Sequence, residues 1–159
     1  MSPGGTPAIA ALEAAGVEFD VHQFDHHPGH RNFGEAAALA LGADPGRVFK
    51  TLVVTADAHQ VVGIVPVSGQ LSLRELATAV GAKRAVMCPV PTAQRVTGYV
   101  VGGISPFGQK KLLRTVIDET CLLFDTIFVS GGKRGLDIEI APDVLIEQLS
   151  AVVAPIGQA

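Results

Sequence analysis

Val48-Phe49-Lys50-Thr51-Leu52-Val53-Val54-Thr55-Ala56-Asp57-Ala58-His59-Gln60-Val61-Val62-Gly63-Ile64-Val65-Pro66-Val67 contains two β-branched runs, Val48 to Thr55 and Gln60 to Val67, joined by Ala56 to His59. Branched side chains suit a pleated strand, and so short a connection returns the chain antiparallel, so the stretch predicts a β-hairpin. Upstream, Thr6 to Gly16 predicts a helix with Thr6 as N-cap, Pro7 at the first helical position and Gly16 as the stop. A strand through Val17 to Phe24 and the turn-rich Asp25 to His30 lead into an Ala-rich helix from Glu35 to Leu41, ended by Gly42. Downstream, Ser72-Leu73-Arg74-Glu75 has the pattern of a capping box, in which the Ser and Glu side chains each satisfy the other's backbone N–H, with Gly81 as the stop. Further strands are predicted at Ala85 to Cys88, Tyr99 to Val101, Phe124 to Val129 and Leu136 to Ile140, with Pro89 and Pro91 interrupting the pattern and Pro142 opening a last helix. The strands come in pairs as well as singly, and the helices do not alternate with them. The expectation is one α/β domain over residues 1–159, with a mixed, curved or barrel-like sheet and packed helices rather than a doubly wound parallel sheet.

Composition agrees with an ordered globular chain. Of 159 residues, 48% are hydrophobic and 17% charged, and 12 basic against 15 acidic side chains leave a net charge of −3. Low hydrophobicity with high net charge, the signature of disorder, is reversed here. The mean hydropathy is +0.38, yet no apolar run approaches the ~18 residues needed to cross a bilayer. Met1 to Pro7 is small and polar, without the basic start of a signal peptide, so a cytoplasmic protein with no membrane role is expected. The acidic balance also argues against DNA or other broad nucleic-acid binding, which favours a basic stripe.

Three segments exceed what a core requires. In the first, strand periodicity puts Lys50 on the face of Val48, Leu52 and Val54. A cation there either extends to water or serves a phosphate or polarised carbonyl. The second, Gly98 to Lys111, holds four glycines and a basic end; its Gly102-Gly103 turn is either a plain tight turn or a nest of N–H groups for an oxyanion. Gln109 and Lys110 stand where a nucleotide-binding loop needs Lys and Ser/Thr, so NTP hydrolysis is not indicated. The third, Ser130-Gly131-Gly132-Lys133-Arg134-Gly135, enters a strand whose Asp137 and Glu139 share the face opposite Leu136, Ile138 and Ile140. An amphipathic edge strand with a solvated acidic face is the plainer reading; a carboxylate pair acting as acid and base or on a metal is the other.

Other chemistry lacks a pattern. His26, His27 and His30 crowd one loop but show no metal-ligand spacing, and a solvated loop is expected. Cys88 and Cys121 lie far apart in apolar stretches and read as small buried hydrophobes. No G-x-S-x-G elbow is present, and no cofactor or metal is indicated.

These segments together resemble the YbaK/EbsC family, the Cys-tRNA(Pro) deacylases related to the editing insertion domain of bacterial prolyl-tRNA synthetases. The likeness runs through Thr6-Pro7-Ala8, Asn32-Phe33-Gly34, Val48 to Leu52, Pro66 to Leu71, Gln94 to Pro106 and Ser130 to Glu139. It implies trans-editing: removal of cysteine mischarged onto tRNA(Pro) by cleavage of the aminoacyl ester, hydrolytic or lyase-type. The substrate's thiol would attack its own carbonyl and leave as a thiolactone. By carry-over, Lys50 resembles the family's essential lysine, and Gly102, Gly103 and Pro106 lie in its G-x-x-x-P loop. Phe33, Thr51, Ser130 and Asp137 match pocket positions, with Asp137 facing the substrate ammonium. Phe24 stands where some members carry a tyrosine. The implied partners are aminoacyl-tRNA and, transiently, prolyl-tRNA synthetase. Two alternatives remain: a deacylase for another small amino acid such as alanine, and a noncatalytic tRNA or nucleotide module using Lys110, Lys111, Arg114, Lys133 and Arg134.

Overall fold

The computed structural model describes residues 5–25 and 33–159. Its elements in chain order are α1 (Pro7–Ala15), β1 (Asp20–Gln23), α2 (Phe33–Leu41), β2 (Phe49–Ala56), β3 (His59–Pro66), β4 (Gln70–Leu71), α3 (Leu73–Val80), β5 (Ala85–Met87), α4 (Val90–Thr97), β6 (Arg114–Asp118), a 3₁₀ turn (Glu119–Leu123), β7 (Ile127–Lys133), β8 (Leu136–Ile140), α5 (Pro142–Leu149), β9 (Val152–Ala154) and β10 (Gly157–Gln158). The strands form a five-stranded sheet in the order β5-β2-β3-β6-β9, a three-stranded sheet β1-β8-β7 and a β4-β10 pair. The larger sheet is mixed: β2 runs antiparallel to β3 and β5, whereas β3-β6 and β6-β9 are parallel. A parallel bridge from Val48 to Phe128 brings the two sheets edge to edge beside Lys50.

The expected hairpin is present, each strand displaced by one residue from its β-branched run. Ala56 pairs with His59, so only Asp57 and Ala58 form the turn. Asp57 sits at φ +53°, and its carboxylate accepts from the Lys83 and Arg84 amides at 3.1 Å each, ties absent from the local pattern. The main core lies between the sheets and α1, where Ile9, Leu12, Phe49, Ile64, Ile117, Ile127, Ile138 and Leu145 are buried together.

Caps behave as their chemistry requires, with one exception. The Thr6 hydroxyl accepts from Ile9 N–H at 3.3 Å and donates to the Gly131 carbonyl, fastening α1 to β7. Ser72 caps α3 by accepting from Glu75 N–H at 3.2 Å, but the reciprocal half of the box is replaced: Ser72 N–H donates to the Ile156 carbonyl at 2.7 Å. Pairing of β4 with β10 places that acceptor beside Ser72.

Several predicted elements are corrected. Pro89 and Pro91 do not break structure; they open α4, since the first helical turn has no N–H partner to lose there. Tyr99 to Val101 is not a strand but the approach to a turn closed by Gly103 N–H donating to Val100 at 2.9 Å. The strand predicted from Phe124 begins at Ile127, and β6 lies in a stretch left unassigned from sequence. The strand after α1 is shorter than predicted. The loop histidines His26, His27 and His30 lie outside the described residues.

Candidate functional site

One cavity of about 350 Å³ opens where β2, the N-terminal end of α2, α4, the Gly102 loop and the β7-β8 hairpin converge. Lys50, Thr51, Phe33, Gly102, Ser130 and Asp137 all line it, although they are spread along the sequence from residue 33 to residue 137. Ala36, Ala37, Val48, Val53, Cys88, Ala93 and Ile104 make the rest of the wall largely apolar. A few polar groups on apolar walls can fix the orientation of a small ligand.

Lys50 is half-buried, and its Nζ donates to the Gly69 carbonyl at 3.1 Å. No carboxylate pairs with it among the described residues. One of its three N–H donors is thereby spent, and the ammonium is held against the cavity wall. Thr51, next on β2, is buried, and its hydroxyl has no hydrogen-bond partner among the described residues. A buried unpaired hydroxyl costs about 1–3 kcal/mol of desolvation, so its persistence in a cavity wall marks a place where a ligand atom can complete the bond.

The two carboxylates of β8 take opposite characters. β8 is the central strand of its sheet, flanked by β1 and β7, so the edge-strand reading is corrected. Asp137, across from Ser130 and His22, is buried, and desolvation pushes its pKa up to about 7. No hydrogen bond or ion pair satisfies it among the described residues. Glu139 is engaged: Arg47 Nη2 lies at 2.8 Å, His22 Nε2 at 2.9 Å, and the Thr126 hydroxyl donates at 2.6 Å. The Thr126 bond, helped by His22 and Arg47, lowers its pKa. Glu139 is therefore not an acid-base partner for Asp137. No cluster of three or more metal-ligating side chains occurs among the described residues.

The loop residues divide by role. Gly102 forms part of the wall at φ +90°, where a Cβ would come within 2.6 Å of the Phe33 ring and 2.8 Å of Arg134 Nε. Gly103 and Pro106 do not line the cavity. A Cβ on Gly103 would meet the Lys133 backbone at 2.7 Å, so this residue lets the loop lie on the β7-β8 hairpin, and Pro106 is buried behind it. A register shift in β7 between Ser130 and Lys133 turns the hairpin toward the loop, and Ser130 Oγ accepts from Gly132 N–H at 3.2 Å. Bulges commonly re-aim side chains in this way.

Some wall residues were not singled out from sequence. Arg134 was noted only as a basic loop residue, yet it lines the cavity with its guanidinium carbon 4.3 Å from the Phe33 ring centre. Its companions Lys111 and Arg114 line a separate hollow beside Asp57 and His59. Cys88 is buried in the wall and Cys121 in the core, where burial, with Asp118 and Asp143 nearby, pushes its thiol up to about 11. Phe24, singled out from sequence because some family members carry a tyrosine there, also lines the wall.

A mixed α/β fold holds a small, mostly apolar cavity with a cation on one wall and a buried carboxyl on another, charges chemically complementary to a short amphoteric group. A model of the aminoacyl-tRNA editing domain matches residues 27–147, and the chain belongs to that family. It is 35% identical over 152 residues, 95% of this chain and 92% of the relative, to EbsC of Enterococcus faecalis, provisionally named a Cys-tRNA(Pro)/Cys-tRNA(Cys) deacylase. A crystal structure described provisionally as a trans-editing enzyme for prolyl-tRNA synthetase shares the fold, with a TM-score of 0.87 at 24% identity, over 100% of this chain and 99% of the other. A hypothetical protein does so with a TM-score of 0.86 at 22% identity, over 96% and 99%. The described helices include none long and apolar enough to cross a membrane.

Proposed function

We propose that the chain is a trans-editing deacylase that removes cysteine from Cys-tRNA(Pro) by substrate-thiol-assisted cleavage of the aminoacyl ester. The observation that carries this reading is the convergence of Lys50, the unpaired Thr51 hydroxyl, Gly102 and Asp137 on one cavity of about 350 Å³. Among the described residues of the wall, no nucleophile is hydrogen-bonded to a base. The substrate's sulfur attacks its own carbonyl carbon, the ester C–O bond breaks as a thiolactone closes, and the thiol proton ends on the released ribose oxygen. Asp137 receives the α-ammonium, Lys50 holds the terminal nucleoside or carbonyl oxygen, and Thr51 donates to the ester. Binding the reacting groups in this arrangement favours intramolecular attack. Prolyl-tRNA synthetase in a transient complex supplies the tRNA selection that this acidic chain lacks.

Three substitutions probe the mechanism. Cys88→Ser and Cys121→Ser are expected to keep near-wild-type turnover of Cys-tRNA(Pro), because the attacking sulfur belongs to the substrate; single-turnover assays on folded variants read this, and loss in either contradicts the mechanism. Thr51→Val removes a hydroxyl that has no partner among the described residues. It is expected to leave the melting temperature unchanged or slightly higher while lowering kcat/KM roughly tenfold, the worth of one hydrogen bond made on binding. A variant that is destabilised yet fully active would assign Thr51 to the fold alone.

A further inference from the structure

Arg134 lies at the rim of the cavity, in the two-residue turn between the paired Lys133 and Leu136. Its Nε and Nη2 both donate to the Val101 carbonyl, at 2.9 and 2.7 Å, and its plane lies against Phe33. One side chain thus joins the hairpin, the Gly102 loop and the start of α2. Two of its five N–H donors are used. The ion pairs among the described residues involve only Glu139 with His22 and Arg47, so the Arg134 charge has no counter-ion among them. A guanidinium held in place by stacking and hydrogen bonds, with exposed donors remaining, matches the fork geometry that phosphate prefers.

We propose that Arg134 is a phosphate-binding residue of the cavity, gripping the phosphate on the 5′ side of the terminal nucleoside whose ester the cavity receives. This rests on the deacylase reading above. The order of charges supports it: an aminoacyl ester of a nucleoside 5′-phosphate is anionic at one end and cationic at the other. Arg134 at the rim and Asp137 in the wall, three residues apart on one hairpin, present the complementary signs. Val101 and Phe33 orient the guanidinium, so the grip and the shape of the Gly102 wall are coupled.

The test compares two minimal substrates, the cysteinyl ester of adenosine and that of adenosine 5′-monophosphate. The wild type is expected to favour the phosphorylated ester about tenfold in kcat/KM, the worth of one charged hydrogen bond. In Arg134→Gln, with folding checked by circular dichroism, that ratio is expected to fall to about one, whatever loss the two substrates share through the loop. An equal loss on both with the preference retained, or no preference in the wild type, overturns the proposal and leaves Arg134 a structural latch. If the wild type cleaves neither ester, the deacylase reading fails instead, and the site is then read by calorimetric binding of adenosine 5′-monophosphate against adenosine. Tighter binding of the monophosphate that Arg134→Gln abolishes supports the phosphate site; equal binding of the two overturns it.

Discussion

Lys50→Ala is expected to fold normally and to lose at least about a hundredfold in kcat toward Cys-tRNA(Pro), the scale of removing one preorganised donor from developing charge. Lys50 is half-buried and its only described partner is the Gly69 carbonyl. Truncation therefore strands no buried opposite charge, and circular dichroism and the melting temperature should be little changed. Lys50→Arg is expected to recover little, because the planar guanidinium is bulkier and cannot keep the compact ammonium's contact with Gly69 while reaching the substrate. Turnover by Lys50→Ala at the wild-type rate would remove the lysine from the mechanism.

Asp137→Asn is expected to separate stability from activity. The unfolded carboxyl titrates near its ordinary 3.8 and the folded one near 7. The native state thus holds an additional proton between these values, and stability falls as pH rises through that window. Above about pH 7 the full penalty is present, on the order of 4 kcal/mol. Asn carries no charge to bury, so the variant should melt several degrees higher than wild type at pH 8, with the gap closing toward pH 4. It should also lose at least about tenfold in kcat/KM, since the substrate ammonium no longer meets a carboxylate. In the wild type, kcat/KM should rise with pH through an acid limb near 7 that the variant lacks. Equal pH profiles of stability for the two proteins would assign the buried carboxyl to something other than an unsatisfied charge.

On the proposed reading, such a cost to the fold is offset by the role of the residue in binding substrate. Thr51 fits the same description, and both line one cavity while Glu139, two residues from Asp137, is fully engaged by Arg47, His22 and Thr126. Strand periodicity alone made Asp137 and Glu139 equivalent. Their difference comes from neighbours distant in sequence.

The same distinction governs what could be read in advance. The β2-β3 hairpin, the Thr6 and Ser72 caps and the Gly16 and Gly81 stops follow from local chemistry and appear where they were expected. Lys50, the glycine-rich loop and the β8 carboxylates stood out because each is unusual for its own segment. The Ser72 N–H bond to Ile156, the β6 strand and the stacking of Arg134 on Phe33 depend on partners tens of residues away. Pro89 and Pro91 misled for a different reason: proline ends a helix from inside but starts one from its first turn, and only the following residues decide.

The most direct test of the account is a time course of ester loss from Cys-tRNA(Pro), Ala-tRNA(Pro) and the thiol-free Ser-tRNA(Pro) with the purified protein, with and without prolyl-tRNA synthetase. The account predicts rapid loss of cysteine alone, with a thiolactone as the first product. Preferential loss of alanine would contradict the substrate-thiol mechanism and require an activated water, and inertness toward all three esters would contradict the deacylase reading itself.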